Sequence, residues 1–268
     1  MSQVPAQTPH QESLDEFFQR VSTDLMAVAT NYRAVAAVTE AAAGLETPPT
    51  IQLAAPEAAL KPLDTHFTVG WLAADLIDMG ALELVTTDTV PDGTRLTDGQ
   101  EAWTLTMVDK TPRVVALGDT IVAEAVEGTV TNRDDADGFR LRTVGRTQVL
   151  ETLAETFEPA VADDFEAGVA AAAPIAESAL TPYHIALLVG ARHEYLQYEF
   201  GHWAEDIRFT SQATLSRKKR ALKEAGLVET TSVKHDVGRP RHRLHLSGPL
   251  AGCDDIEAVV DRAEAELE

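Results

Sequence analysis

The apolar positions of the first fifty residues follow two periods at once. Leu14, Phe18, Val21, Leu25, Val28, Tyr32 and Val35 recur at three- and four-residue steps, as one long helix requires, whereas LMAVA at 25–29 is an uninterrupted apolar run of the buried-strand kind. The second alternative makes Thr30-Asn31 the cap of a following helix and Gly44 its stop. TIQLA at 50–54, behind Pro48-Pro49, then completes a βαβ unit. A helix over about 65–79 places Phe67, Trp71, Leu72, Leu76 and Met79 on one side and ends at Gly80, and LELVT at 82–86 is a further strand. Strands alternating with helices imply parallel pairing with helices on both faces of the sheet.

Beyond a turn-rich stretch at 88–100, WTLTMV (103–108), RVVAL (113–117) and TIVAEAV (120–126) read as strands of a hairpin or meander. FRLRTV (139–144) reads as another strand and QVLETLAETF (148–157) as a helix. The expected first domain, 13–170, is therefore α/β with a mixed sheet. A polar, disordered tail at 1–12 precedes it, and an Ala-rich connector broken by Pro174 closes it.

From Thr181-Pro182, a good helix start, the pattern is helical. Ile185, Leu188, Val189, Arg192 and Leu196 form a stripe, a short helix around 201–206 turns Trp203 inward, and Thr210 or Ser211 caps a third helix that Gly226 ends. Two strands, LVETTSV and RHRLHLS, flank the turn HDVGRP. Three helices and a two-stranded wing make a C-terminal winged helix-turn-helix domain at 171–248, followed by an amphipathic helix at 249–268. On that last helix Ile256, Val259, Val260, Ala263 and Leu267 share a face that either packs on the winged helix or pairs two copies.

Composition adds the setting. The 268 residues suit two domains at roughly 150 residues each. Forty-three acidic against 22 basic residues give a charge of −21, yet 44% hydrophobic content is that of a folding chain. Scarce lysine beside abundant acid is expected of a halophile, where salt screens the self-repulsion. A lone Cys253 excludes an intramolecular disulfide and any thiolate-rich metal site. No stretch approaches eighteen uninterrupted apolar residues and the start lacks a basic-then-apolar leader, so a soluble cytoplasmic protein is expected.

The charge is uneven. Between Ile207 and Leu246 ten basic residues face three acidic ones, a net +7 within a chain whose remainder carries −28. Such an island calls for a negative partner. At 100° per residue, Leu215, Lys219 and Leu222 of the third helix share an inner arc, with the Lys219 stem able to cover apolar surface. Thr214, Arg217, Arg220 and Ala221 point the other way, with Lys218 and Lys223 at the shoulders. Small polar and arginine residues outward suit a helix in the major groove of duplex DNA, and flanking lysines suit phosphates. The expected DNA contacts are Ser211, Gln212, Thr214, Arg217, Lys218, Arg220 and Lys223, with Arg239 and Arg241 from the wing. Two half-sites read together imply a homodimer.

The stretch TLSRKKRALKEAGLV with its GRPR wing resembles winged-helix regulators generally, and the whole chain resembles the haloarchaeal TbsP-type regulators. That resemblance implies a DNA-binding transcription factor connected with sugar metabolism. The rival reading is a winged helix that docks proteins in transcription or chromosome machinery, for which apolar or acidic residues are expected on the third helix. Within the first domain, Thr30, Asn31 and Arg33 lie where open α/β sheets bind ligands, and so form a candidate site for a small anionic or hydroxylated effector. His235, His242 and His245 lie among arginines without carboxylates at ligand spacing, and no phosphate loop or nucleophile elbow is present. No metal, no cofactor and no enzymatic activity are expected.

Overall fold

The computed structural model describes residues 11–21, 24–109, 111–117, 137–172, 178–233 and 241–267. It divides into two compact units, 1–142 and 143–268.

The N-terminal unit holds an eight-stranded sheet among the described residues. Its strands are β1 (Gln11–Ser13), β2 (Leu25–Val28), β3 (Ile51–Ala55), β4 (Leu82–Thr86), β5 (Thr94–Thr97), β6 (Ala102–Val108), β7 (Thr111–Ala116) and β8 (Asp137–Gly138), in the order β1-β7-β6-β5-β2-β3-β4-β8. Pairs β2/β3 and β3/β4 are parallel and the others antiparallel, so the sheet is mixed as expected. Helices α1 (Leu14–Arg20), α2 (Tyr32–Ala43), α3 (Glu57–Leu60) and α4 (Phe67–Asp78) all contribute to one core with Ala27, Leu53, Leu84, Leu96 and Trp103. Among the described residues, the helices that follow β2 and β3 lie on one face, where helices on both faces were expected. Strands β2, β3 and β4 are consecutive neighbours, and successive right-handed crossovers put their helices on one side. The other face carries a small cluster of Val28, Ala54 and Val85.

Several local expectations are refined. The ambiguous first segment is a helix and then a strand: α1 is capped by Ser13, which accepts from the Glu16 amide at 3.2 Å, and β2 follows. Gln11 and Glu12 pair with β7 rather than lying in a tail, while residues 1–10 lie outside the described residues. Met79, expected on the buried side of its helix, is 63% exposed at the C-cap. The loop at 88–100 contains β5, which joins β2 to β6. Residues 139–144 form no strand: only the Phe139 amide continues the ladder, donating to Leu84 O at 2.9 Å, and Phe139 and Leu141 pack on the core instead. The segment expected as a strand at 120–126 lies outside the described residues.

The second unit begins at 143, not 171, because α5 (Arg146–Thr156) and α6 (Pro159–Ala171) pack with the C-terminal helices. It continues with α7 (Pro182–Arg192), α8 (Gln197–Asp206), α9 (Gln212–Glu224), strands β9 (Val228–Val233) and β10 (Arg241–Leu246), and α10 (Ile256–Leu267). Of the two readings of the last helix, packing on its own domain is the one observed. Ile256, Val259, Val260 and Ala263 are buried against α6 and α7. These three helices meet at Gly168, where an added Cβ would lie 2.9 Å from Ile185 and 3.1 Å from Ile256.

Candidate nucleic-acid interface

Helix α7 is the spine of the C-terminal unit and is buried on every side from Ile185 to Ala191. Thr181 caps it, and His184 reaches back so that its Nδ1 accepts from the Thr181 amide at 3.0 Å. Burial, with the nearby Lys218 charge adding to it, pushes the His184 imidazole down to about 4. The ring is therefore held neutral, as an acceptor must be. Because the unfolded chain takes up this proton near pH 6.5 and the folded one only near 4, stability is expected to be lost as pH falls through that window and to level off below it. Melts of wild type and His184→Asn across pH 4 to 6.5 check this prediction. Equal pH dependence in the two proteins would contradict it.

Helix α8 crosses α7 at Gly190, where an added Cβ would meet the Phe200 ring at 3.2 Å. Phe200 stacks on Phe157 with centroids 4.4 Å apart, and Trp203, also in the cluster, donates from Nε1 to Thr152 Oγ1 at 3.1 Å. The helix starts four residues before Gly201, the expected beginning, because its N-cap Leu196 offers no side-chain acceptor and so gives no signal. Arg208 then turns the chain with φ +62°.

Helix α9 is capped as expected by Ser211, which accepts from the Thr214 amide at 3.2 Å. Leu215 and Leu222 are buried and Lys219 is half-buried, its ammonium bonded to the Gln197 carbonyl oxygen. Burial, then the neighbouring Lys223 charge, lowers the Lys219 pKa. Arg217, Arg220 and Lys223 are exposed on the outer side, and Lys218 is half-buried on the flank toward His184. Arg217 Nη2 donates to Thr214 Oγ1 at 3.0 Å, which aligns the two along the outer face. Gln212 is turned back to α8, donating to Glu205 at 2.6 Å, and Lys223 donates to Thr230 Oγ1 of β9 at 3.0 Å. One acidic residue that the angular reading passed over, Glu224, shares the outer face at its C-terminal end. It lies 3.8 Å from Arg220, both side chains being 73% exposed, and such a pair contributes little.

The wing is antiparallel, with Arg241 opposite Val233 and Arg243 opposite Thr231. Arg241 lies 4.5 Å above the Tyr198 ring. Arg239 belongs to residues 234–240, outside those described. Thus Ser211, Gln212, Thr214, Arg217, Lys218, Arg220 and Lys223 are brought together on or beside one helix, and Arg241 stands on the adjoining strand. Tyr198 was not anticipated. Its signal was the recurrence Tyr198, His202, Glu205 at four and three residues on one helix face.

In the N-terminal unit, Thr30, Asn31 and Arg33 line one cavity of about 420 Å³ with Ala34, Gly93, Thr94, Leu105 and Met107. Asn31 Oδ1 is spent on capping α2, accepting from the Ala34 amide at 3.1 Å. Arg33 is exposed at its rim. Leu105 and Met107, alternate residues of β6, form an apolar wall opposite the helix start.

Comparison with known proteins follows this division. Residues 2–144 match the family described as transcriptional regulator TbsP-like, N-terminal, and residues 145–264 that described as transcriptional regulator TbsP-like, C-terminal HTH domain. No curated protein matches the chain. Among solved structures, TrmBL2, an archaeal chromatin protein with a novel mode of DNA binding, aligns at 12% identity and TM-score 0.32 over 50% of this chain and 56% of that one. The chain thus spans little more than half the length of TrmBL2. Nuc, a phospholipase D family member from Salmonella typhimurium, aligns at 12% identity and TM-score 0.33 over 50% of this chain and 99% of Nuc. Among the described residues, no helix is long and apolar enough to cross a membrane.

Proposed function

The chain belongs to the family of TbsP-like transcriptional regulators, and from that premise we propose that its C-terminal unit binds a specific operator with α9 in the major groove and the wing on the adjacent backbone. The observation that carries this reading is the outer face of α9, where Thr214, Arg217 and Arg220 stand in a chain whose net charge is −21. A helix that docked proteins would be expected to show apolar or acidic residues there. Outside the basic island, −28 repels DNA at low salt, and screening removes non-specific attraction at high salt. Specific contacts then carry the affinity. Fluorescence anisotropy of operator and scrambled duplexes in molar KCl tests this, and equal affinity for the two would oppose sequence reading.

The regulator acts as a homodimer on two half-sites about 10 base pairs apart. Its composition supports a halophilic archaeal host, and the TbsP resemblance supports a role in sugar metabolism. The cavity beside Arg33 takes the effector. Its apolar wall of Leu105 and Met107 facing Thr30, Thr94 and the α2 amide end suits a small hydroxylated anion. Thermal-shift screening with phosphorylated sugars at high salt is expected to raise the melting temperature of wild type and not of Arg33→Ala. No response to any of them would leave the N-terminal unit a scaffold.

A further inference from the structure

The first residue of α9 is held from behind. Gln212 falls, at 100° per residue, in the arc of Leu215 and Lys219, and as the first helical residue it stays exposed at the helix tip. Its stem runs over Gly201 of α8, so closely that an added Cβ there would come 3.5 Å from Gln212 Cγ. One turn further along α8, Glu205 accepts from Gln212 Nε2 at 2.6 Å. Both ends of the side chain are thereby placed, the stem by contact and the carboxamide by a charge-assisted bond. Glu205 is exposed, and the arginine ion pairs described in this unit join Arg146 to Glu166, Arg192 to Asp164 and Arg220 to Glu224, so no cation accounts for its carboxylate. Beside the tip of a helix that must approach phosphates, a negative charge is unfavourable in itself.

The bond decides what the amide can read. An ionised carboxylate only accepts, so the amide nitrogen must face Glu205 and Oε1 must face away. Gln212 is left with Oε1 as an acceptor and its second N–H as a donor. That pair complements adenine in the major groove, where N6 donates and N7 accepts, and it fails on guanine, whose O6 and N7 both accept. A glutamine without such an anchor can turn its amide over and donate to guanine instead. The N-terminal residues of a recognition helix are those that contact base edges, which brings Gln212 within reach. We propose that Glu205 is a positioning residue that fixes the amide of Gln212, so that the tip of α9 takes adenine and rejects guanine at one base pair of each half-site. This proposal rests on the DNA-binding reading above and adds to it Glu205 and the base that Gln212 takes.

The test uses the full chain, each variant first checked by its melting temperature. Selection from a random duplex library by wild type, Gln212→Ala and Glu205→Gln is followed by anisotropy on the selected duplex with adenine or guanine at the pair in question. Gln212→Ala is expected to flatten one pair per half-site, a pair at which wild type prefers adenine. Glu205→Gln keeps the size of the side chain but can donate or accept. It should therefore cut the preference for adenine over guanine at that same pair by about tenfold, leave the other pairs as they were, and bind scrambled duplex no more weakly than wild type. An unchanged preference in Glu205→Gln overturns the proposal. So does a change confined to a different pair, which would make Glu205 itself a base reader, and so does weaker binding to every duplex with a lowered melting temperature, the mark of a structural role. If Gln212→Ala flattens no pair, or one at which wild type prefers another base, while Arg217→Ala flattens its own, the proposal falls and the DNA-binding reading stands. A folded wild type that enriches no sequence overturns that reading and the proposal with it.

Discussion

Arg217→Ala is expected to lose about 1 to 3 kcal/mol of operator affinity while leaving binding to a scrambled duplex nearly unchanged, as loss of a bidentate base contact does. The geometry supports the size and the asymmetry. Arg217 is exposed on the side of α9 opposite Leu215 and Leu222, and its bond to Thr214 Oγ1 at 3.0 Å holds the guanidinium along the outer face instead of letting it reach back to a flank. The internal control is Lys223→Ala. That lysine lies at the shoulder, against Thr230 of β9 at 3.0 Å, and its loss should weaken both duplexes alike and reduce the salt slope by about one. Equal losses on both duplexes for Arg217→Ala would remove it from base reading.

The largest stability effect is expected at Phe200. Its ring is 1% exposed and sits among Phe157 at 4.4 Å, Trp203 at 5.8 Å and Tyr195 at 5.9 Å, while Gly190 of α7 admits it without a Cβ in the way. Phe200→Ala therefore opens a cavity that four rigid neighbours cannot close. The cost is on the order of 3 to 5 kcal/mol, a large share of the 5 to 15 kcal/mol that holds a typical domain together. A melting temperature lower by roughly 10 °C or more follows for a unit of this size. DNA binding should weaken as well, because α8 carries the Gln197 side chain that fixes Lys219 against it. An unchanged melting temperature would mean that this aromatic cluster is not the brace of the helix pair.

What was readable in the chain, and what was not, divides by range of interaction. Caps are local, so Asn31, Ser211 and Gly226 marked their helix ends directly: each supplies an acceptor or a left-handed φ within three residues of its effect. The outer face of α9 followed from 100° per residue because Leu215 and Leu222 leave one orientation for the helix. Strand β5 was hidden because four residues inside a turn-rich stretch carry too little period to stand out, and its place between β2 and β6 depends on pairing with residues up to about seventy positions away. FRLRTV alternates as a strand should, yet beyond Phe139 it pairs with no described strand, and the Arg142 amide donates to the Asp64 carboxylate at 2.8 Å instead. The unit boundary was misplaced because the helices over 146–171 look the same whichever core they join. Tyr198 was missed for the same reason, since only the register of β10 brings Arg241 to its face. The apolar face of the last helix offered two partners, and α6 with α7 is the one observed.

The most direct measurement of the central claim is selection of bound sequences from a random duplex library by the full chain in molar KCl, run in parallel with Arg217→Ala. Wild type is expected to enrich one motif with two-fold symmetry and half-sites about 10 base pairs apart, and Arg217→Ala to flatten the same base position in both half-sites. A folded wild-type protein that enriches no sequence would contradict the assignment of α9 as a reader of duplex DNA.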